Sequence, residues 1–122
     1  MTLRNTADVD IIATDQSTNK SANIQVKSTS HKRDRQGFLR WMLDEKAEKL
    51  RAGRLFYVFL SLEYPAEFYV VPSRKVADYV TKDHREWMRS KGRHGQKHKR
   101  SNVRIWWSDE RYRNKWNLLR LN

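Results

Sequence analysis

Two short runs decide the fold, Val9-Asp-Ile-Ile-Ala-Thr14 and Ala22-Asn-Ile-Gln-Val-Lys-Ser-Thr29. The first is apolar and rich in β-branched residues, and it predicts a mostly buried strand. Residues 15–21 between them are turn formers, so the two runs should pair as an antiparallel hairpin. Side chains alternate across a strand, which puts Gln25 and Lys27 on one face. We expect the register to bring Asp10 to the same place.

A carboxylate, an amide and an ammonium at one place suit the hydrolysis of a phosphodiester. Carboxylate and amide oxygens of Asp10 and Gln25 are ligands that Mg²⁺ accepts, and this ion keeps several waters. The ammonium of Lys27 can orient the attacking water and stabilise charge that builds on the phosphate. A plain structural interpretation is equally open, because Asp10 can pair locally while Gln25 and Lys27 form the wet face of an ordinary hairpin.

Asp10 followed by Gln25-Val26-Lys27 resembles the PD-(D/E)XK nuclease superfamily in its Q-x-K form, which is similar to methylation-dependent restriction endonucleases and several uncharacterised bacterial families. The resemblance implies an α/β fold, a restriction-endonuclease-like mixed β-sheet flanked by helices. It also implies that Asp10 and Gln25 bind Mg²⁺, that Lys27 assists catalysis, and that Ser28 and Thr29 position phosphate.

The rest of the chain extends this resemblance. Segments such as His84-Arg-Glu-Trp87, Gly92-Arg-His-Gly95 and Asn102-Val-Arg104 are similar to the C-terminal half of an uncharacterised bacterial family with a nuclease-like N-terminal half. The superfamily core usually runs helix, three strands, helix, strand, and residues 1–8 leave no room for the first helix. That helix often supplies an acidic metal ligand and covers the sheet. We therefore expect weak or absent cleavage, and self-association as a homodimer through the uncovered face.

Charge points to a polyanionic partner. The net charge is +12, and residues 83–122 carry twelve basic groups against four acidic ones. Nucleic acid, with DNA as the expected form, is the simplest partner, although a basic surface also favours solubility. The 122 residues predict one domain over 1–122, with a basic C-terminal segment from about 91 to 122.

Two basic loops are the expected phosphate contacts. The first follows the Gln25/Lys27 strand, and the second is the glycine-containing stretch 91–100. The predicted nucleic-acid-binding residues are Lys32, Arg33, Arg93, Lys97, Lys99 and Arg100. Both stretches are also typical of solvated surface loops. His94 and His98 lie four residues apart, but a loop without a matching carboxylate does not favour a metal pair.

Composition excludes several classes of protein. The absence of cysteine rules out disulfides and thiolate zinc sites, and it favours a cytoplasmic location. No apolar run is long enough to span a bilayer and the start does not resemble a signal peptide, so no membrane association is expected.

Periodicity predicts the remaining elements. Apolar residues at helical spacing predict a helix over 38–52 and another from Ser73, as N-cap, to about Ser90. Residues 55–62 predict a central strand, 68–71 its hairpin partner, and 103–107 a short edge strand. A last helix should begin at Ser108. The tryptophans at 106, 107 and 116 suit core packing or stacking on unpaired bases.

The sequence thus favours a nuclease-like DNA-binding protein with Mg²⁺-dependent phosphodiester hydrolysis. Two alternatives on the same fold remain open, a non-catalytic nucleic-acid-binding module and a protein-interaction module. Salt-dependent DNA binding without cleavage distinguishes the first alternative, and an absence of DNA binding distinguishes the second.

Overall fold

The computed structural model describes residues 10–92, 94–99 and 101–121, and in these the chain is an α/β protein. The predicted hairpin is present. Strand β1 (Ile11–Asp15) pairs antiparallel with β2 (Lys20–Thr29), with Ile11 opposite Ile24. The Asp15 carboxylate accepts hydrogen bonds from the backbone and hydroxyl of Ser17 and so holds the turn.

The prediction that the first strand is mostly buried is wrong for β1. Ile11 and Ile12 are 47% and 67% exposed, and Val9 lies outside the described residues. The reason is position, because β1 lies at the edge of the four-stranded sheet that the described residues form. A β-branched run does not reveal whether its strand is central or at an edge.

The prediction of a central strand over 55–62 is confirmed. Strand β4 (Leu55–Ser61) pairs parallel with β2 and antiparallel with β5 (Glu67–Pro72). The sheet order is β1-β2-β4-β5, so it is mixed. Both faces of β4 are buried because Phe56 and Val58 pack on one side, while Tyr57 and Phe59 pack on the other.

The helix predicted over 38–52 is wrong. Residues Arg40–Asp44 form a strand, β3, and a 3₁₀ helix follows at Glu45–Glu48. Leu39, Trp41 and Leu43 are buried while their neighbours are exposed, which is the two-residue period of a strand. The spacing of Leu39, Leu43 and Ala47 fits a helix equally well, and pairing with a distant strand decided the outcome.

That distant strand is β6 (Val103–Trp107), which was predicted as a short strand. It pairs antiparallel with β3 to give a second, two-stranded sheet, with Trp41 opposite Trp106. Trp106 is 3% exposed and stacks parallel to Phe59, with 5.6 Å between ring centroids. The small sheet therefore packs on the Tyr57/Phe59 face of the large one.

The predicted second helix is present as α1 (Ser73–Arg89). Its N-cap is Pro72 and not Ser73, whose hydroxyl donates instead to the carbonyl of Ala52 at 3.2 Å. Val76 and Val80 of α1 are buried in the same core as Tyr57 and Phe59. The helix thus covers that face of the sheet together with β3 and β6.

The final helix predicted from Ser108 is replaced by two 3₁₀ helices, Glu110–Tyr112 and Trp116–Leu119. Leu119 is buried against the other face of the large sheet, with Phe56 and Val58. The face that we expected to be uncovered is therefore partly covered, and Ile11 and Ile12 of the edge strand β1 are exposed instead. In the described part of the chain, no helix is long and apolar enough to cross a membrane.

Candidate active site on the central sheet

Gln25 and Lys27 stand on the same face of β2, as predicted. In the parallel register, Gln25 is the partner of Tyr57 and Lys27 is the partner of Phe59. Both polar side chains line a small cavity of about 30 Å³, which is enough space for a water molecule. Tyr57 lines the same cavity. The central sheet therefore brings an amide, an ammonium and a phenol together beneath the second sheet.

The amide of Gln25 has an unusual environment. The residue is 5% exposed, and its side-chain oxygen Oε1 is buried without a hydrogen-bond partner among the described residues. A buried acceptor left without a donor costs about 1–3 kcal/mol, so native proteins rarely leave one unexplained. The described residues therefore leave this polar group without a compensating hydrogen bond.

Asp10 is held beside this cavity but does not line it. It precedes β1, its N–H donates to the carbonyl of Ile24 at 3.0 Å, and its carboxylate Oδ2 accepts from the N–H of Val26 at 2.9 Å. Asp10 is exposed. The structure thus brings Gln25 and Lys27 together and ties Asp10 to the backbone between them, at the edge of the sheet.

Asp44 is a carboxylate that the sequence interpretation missed. It ends β3 and lines the cavity together with Gln25, Lys27 and Lys46. Burial raises the pKa of Tyr57 to about 12, and the negative charge of Asp44 adds to that rise. The alternation of apolar and polar residues over 39–44 would have predicted a strand that ends at Asp44. The helix predicted over 38–52 took the place of that interpretation.

The two residues after Lys27 differ in their surroundings. Thr29 is buried, and its hydroxyl accepts a hydrogen bond from the N–H of His31 at 3.2 Å. Ser28 is exposed, and alternation places it on the opposite face from Gln25 and Lys27. Neither hydroxyl lines the cavity. Their suggested role in positioning phosphate remains a prediction.

The first basic loop is partly engaged in structure. Arg33 donates to the carbonyl of Gly37 at 2.6 Å and to both carboxylate oxygens of Glu67 at 2.5 and 2.6 Å. The side chain of Glu67 is only 12% exposed, so this pair anchors the loop to β5. Lys32 is exposed. Of the two predicted phosphate contacts here, Lys32 presents its side chain more openly.

The second basic loop folds back on itself. The N–H of Gly92 donates to the carbonyl of Gln96 at 2.7 Å, and Gly95 turns the chain with a φ of +78°. That left-handed backbone is one that glycine adopts at no steric cost. Lys97 and Lys99 are exposed on this loop, while Arg93 and Arg100 lie outside the described residues.

The histidines of this loop have different surroundings. His98 stacks on Trp87 of α1, with 4.0 Å between ring centroids, and His94 is exposed. Across residues 10–92, 94–99 and 101–121, no group of three or more His, Cys, Asp or Glu is placed to hold a metal ion. Gln25 does not belong to a group of this kind, because its side-chain oxygen is part of an amide.

Comparisons of the chain with protein-family models, curated proteins and solved structures found no match.

Proposed function

We propose that this protein is a nuclease-like DNA-binding protein that hydrolyses phosphodiesters with Mg²⁺ at the Gln25/Lys27 site. One observation carries the proposal. Gln25 lines a cavity together with Lys27, and its buried side-chain oxygen has no hydrogen-bond partner among the described residues. A buried acceptor without a donor, close to an ammonium group, is typical of a site that binds a ligand.

The order of elements supports a restriction-endonuclease-like core. A hairpin carries Asp10 beside the Gln25-Val26-Lys27 strand, and a crossover then leads into β4, parallel to β2. This agrees with the strand, strand, crossover, strand part of the superfamily core. The crossover is made here by β3 and the 3₁₀ helix Glu45–Glu48 in place of an α-helix.

The donor set fits Mg²⁺. The ion prefers oxygen ligands, and Gln25 Oε1 and the carboxylate of Asp10 are the oxygens proposed to hold it. When bound, it would polarise the phosphate and generate a nucleophile from water. The amide is neutral, so the site holds less negative charge than one with Asp or Glu in place of Gln25. We therefore expect weak affinity for the metal until a DNA phosphate adds its own charge.

Lys27 is the side chain proposed to assist the reaction directly. Its side chain is half-buried and lies in the cavity next to Gln25. An ammonium held there can orient a water by hydrogen bonding and stabilise the charge that develops on the phosphate. The packed strand β2 fixes the relative position of the two side chains, which is the precondition for such stabilisation.

Positive charge supports DNA as the partner. The net charge of +12 is concentrated outside the hairpin that carries the site, and Lys97 and Lys99 are exposed on the second basic loop, where a phosphate backbone can reach them. Such contacts position a protein on a duplex without reading its sequence.

A non-catalytic DNA-binding module is the second candidate, and Asp10 favours it. One oxygen of its carboxylate already accepts the N–H of Val26, which explains the residue structurally without any metal. A protein-interaction module on the same fold is the third candidate, and the charge of the chain disfavours it.

Plasmid cleavage with Mg²⁺ or Mn²⁺ tests the proposal. The wild type should nick supercoiled plasmid slowly, and Lys27→Ala should abolish nicking. Lys20→Ala is the matched control, since Lys20 is exposed at the other end of β2 and should leave nicking unchanged. Anisotropy with a labelled duplex without metal measures binding separately. Binding without nicking would select the second candidate, and a lack of binding at moderate salt would select the third.

A further inference from the structure

A groove of about 490 Å³ runs between α1 and the end of β6. It lies at the Trp107 end of the small sheet, whereas the Gln25 cavity lies at the Asp44 end. We propose that this α1/β6 groove binds single-stranded nucleic acid, by stacking unpaired bases on aromatic side chains and by contacts of two lysines with phosphate. The proposal names the form of the nucleic-acid partner, so it rests on the DNA binding proposed above and not on hydrolysis.

Three accessible aromatic side chains line the groove. Phe38 is 46% exposed, Tyr79 is 38% exposed, and Trp107 is half-buried. A base that stacks on such a ring stabilises a bound single strand with little dependence on sequence, because every base has a π-face. The bases of a duplex are paired and already stacked on one another. Aromatic faces that open to solvent therefore favour an unpaired strand.

Two of these residues are held in place by the fold. The ring of Tyr79 packs edge-on against Trp106, with 5.0 Å between centroids, and Trp106 is 3% exposed. The N–H of Phe38 donates to Asp34 Oδ1 at 2.8 Å, and the carbonyl of Phe38 accepts the N–H of Asp34 at 2.9 Å. Positions fixed before a ligand arrives reduce the ordering cost of binding.

Two lysines flank Tyr79 along the groove. Lys75, Tyr79 and Lys82 are spaced four and three residues apart on α1, which places them on one face of the helix. At 1.5 Å per residue, the two lysines are about 10 Å apart along the helix axis. Both are exposed, and neither forms an ion pair with another described residue. Their ammonium groups are therefore available to phosphate.

The charge of the groove favours an anion. Its lining contains more cationic than acidic side chains, with Lys75, Lys82 and Arg111 against Asp78 and Asp109. Both carboxylates are paired with arginine, Asp78 with Arg51 at 2.5 Å and Asp109 with Arg111 at 2.8 Å. Burial, with smaller contributions from nearby carboxylates, raises the pKa of Tyr79, so the phenol is neutral and does not repel phosphate. An acidic peptide would satisfy the lysines but would not need the aromatic faces.

Fluorescence anisotropy with three labelled ligands of equal length tests the proposal on the full chain: an oligothymidylate, an abasic strand with the same phosphates, and a duplex. Phe38→Leu and Trp107→Leu remove aromatic faces and keep apolar side chains. Tyr64→Leu is the matched control, because Tyr64 is 97% exposed in the loop between β4 and β5 and lies outside the groove. Thermal unfolding of each variant shows that the fold is kept.

The wild type and the control should bind the oligothymidylate about fivefold or more tightly than the abasic strand. Phe38→Leu and Trp107→Leu should each lose about fivefold or more of the oligothymidylate affinity and leave abasic and duplex binding unchanged. Equal wild-type affinity for the two single strands, or unchanged binding in both aromatic variants, would overturn the inference. The proposed DNA binding would then still stand, and the groove would accept polyanions such as acidic peptides by charge alone.

The lysines provide a second test that does not disturb the core. Lys75→Gln/Lys82→Gln should flatten the salt dependence of oligothymidylate binding by about 1.4 in slope, at about 0.7 for each phosphate contact of a single strand. Lys20→Gln/Lys115→Gln removes two exposed lysines outside the groove and should keep the wild-type slope. Equal slopes for the two pairs would contradict the lysine contacts and overturn the inference. Failure of the wild type to bind all three ligands would overturn it together with the proposed DNA binding.

Discussion

The carboxylate of Asp10 accepts a hydrogen bond from the backbone N–H of Val26, the residue between Gln25 and Lys27. This bond closes the open end of the hairpin, one residue before the Ile11–Ile24 pair. It also holds a carboxylate next to the proposed site without placing it in the cavity. Asp10 therefore has a structural role, and the catalytic role proposed for it can be separated from that role by mutation.

Asp10→Ala should lower the free energy of unfolding by about 1 kcal/mol, because it removes the acceptor for Val26. Asp10→Asn should cost less, since the amide oxygen accepts the same bond. If Asp10 binds metal, both variants should lose Mg²⁺-dependent nicking. Urea denaturation together with the plasmid assay measures the two effects. Full nicking by Asp10→Asn would show that only the hydrogen bond matters.

Alanine at Arg93, Lys97, Lys99 and Arg100 should weaken DNA binding for every sequence and flatten its salt dependence. Each lost phosphate contact reduces the slope of log K against log salt by about 0.9. The Lys97→Ala/Lys99→Ala pair isolates the described part of the loop. Lys20→Ala/Lys115→Ala removes the same charge elsewhere and serves as control. Equal slopes for the two pairs would show that the loop does not contact phosphate.

Trp106→Ala should cost about 3–5 kcal/mol of unfolding free energy, since the side chain is 3% exposed and stacks on Phe59. Trp116→Ala should cost much less, because Trp116 is 43% exposed. Chemical denaturation of both variants measures the difference. Similar costs at the two positions would contradict the packing, and Trp116 remains the more accessible of the two for stacking on a base.

Acid should destabilise the fold through Glu48. Burial by itself raises the pKa of this carboxyl, but the hydrogen bond from Arg104 and other contacts outweigh it and hold the pKa below its ordinary value of 4.5. The Arg104 side chain is 4% exposed and lies 2.5 Å from the Glu48 carboxylate. The stabilisation is therefore complete above pH 4.5 and is lost as the pH falls through the folded-state pKa.

Glu48→Gln should lower stability at neutral pH, because it leaves the buried Arg104 without its counter-charge. It should also flatten the pH dependence below 4.5. Urea denaturation between pH 3 and 7 measures both effects, with Glu63→Gln in the loop after β4 as control. A pH profile of Glu48→Gln parallel to that of the wild type would rule out this source of acid sensitivity.

Self-association should occur through β1. This strand lies at the edge of the four-stranded sheet of described residues, and its Ile12 is 67% exposed. Exposed apolar edges favour pairing with another chain, and a lysine there opposes it. Ile12→Lys should shift a dimer towards monomer in sedimentation velocity. Met42→Lys on β3, where Met42 is 60% exposed, is the control and should leave the distribution unchanged.

Local signals were enough for part of this fold. The apolar run at 55–61 predicted β4, the turn residues at 15–21 predicted the hairpin, and the stripe containing Val76 and Val80 predicted α1. In each case either the helical or the strand period fitted the apolar residues far better than the other period, or a turn fixed the strand register. Gln25 and Lys27 share a face for the same reason, since alternation along one strand is a local property.

The segment 38–52 shows where such signals stop. Leu39, Leu43 and Ala47 fit a helical stripe, and Leu39, Trp41 and Leu43 fit a strand face. Pairing with β6, more than sixty residues later in the chain, selected the strand. Local propensity carries no information about such a partner, because the hydrogen bonds and burial that decide between helix and strand come from the other strand.

The sequence by itself determined the charge of this protein, the hairpin that carries Gln25 and Lys27, and the central strand against which they lie. Only the tertiary structure decided that the Asp10 carboxylate accepts a hydrogen bond from Val26 and that Asp44 lines the same cavity as Gln25. The physical reason is distance along the chain. Alternation and turn chemistry act within a few residues, whereas the position of Asp44 over Gln25 depends on how two sheets pack around Tyr57 and Phe59.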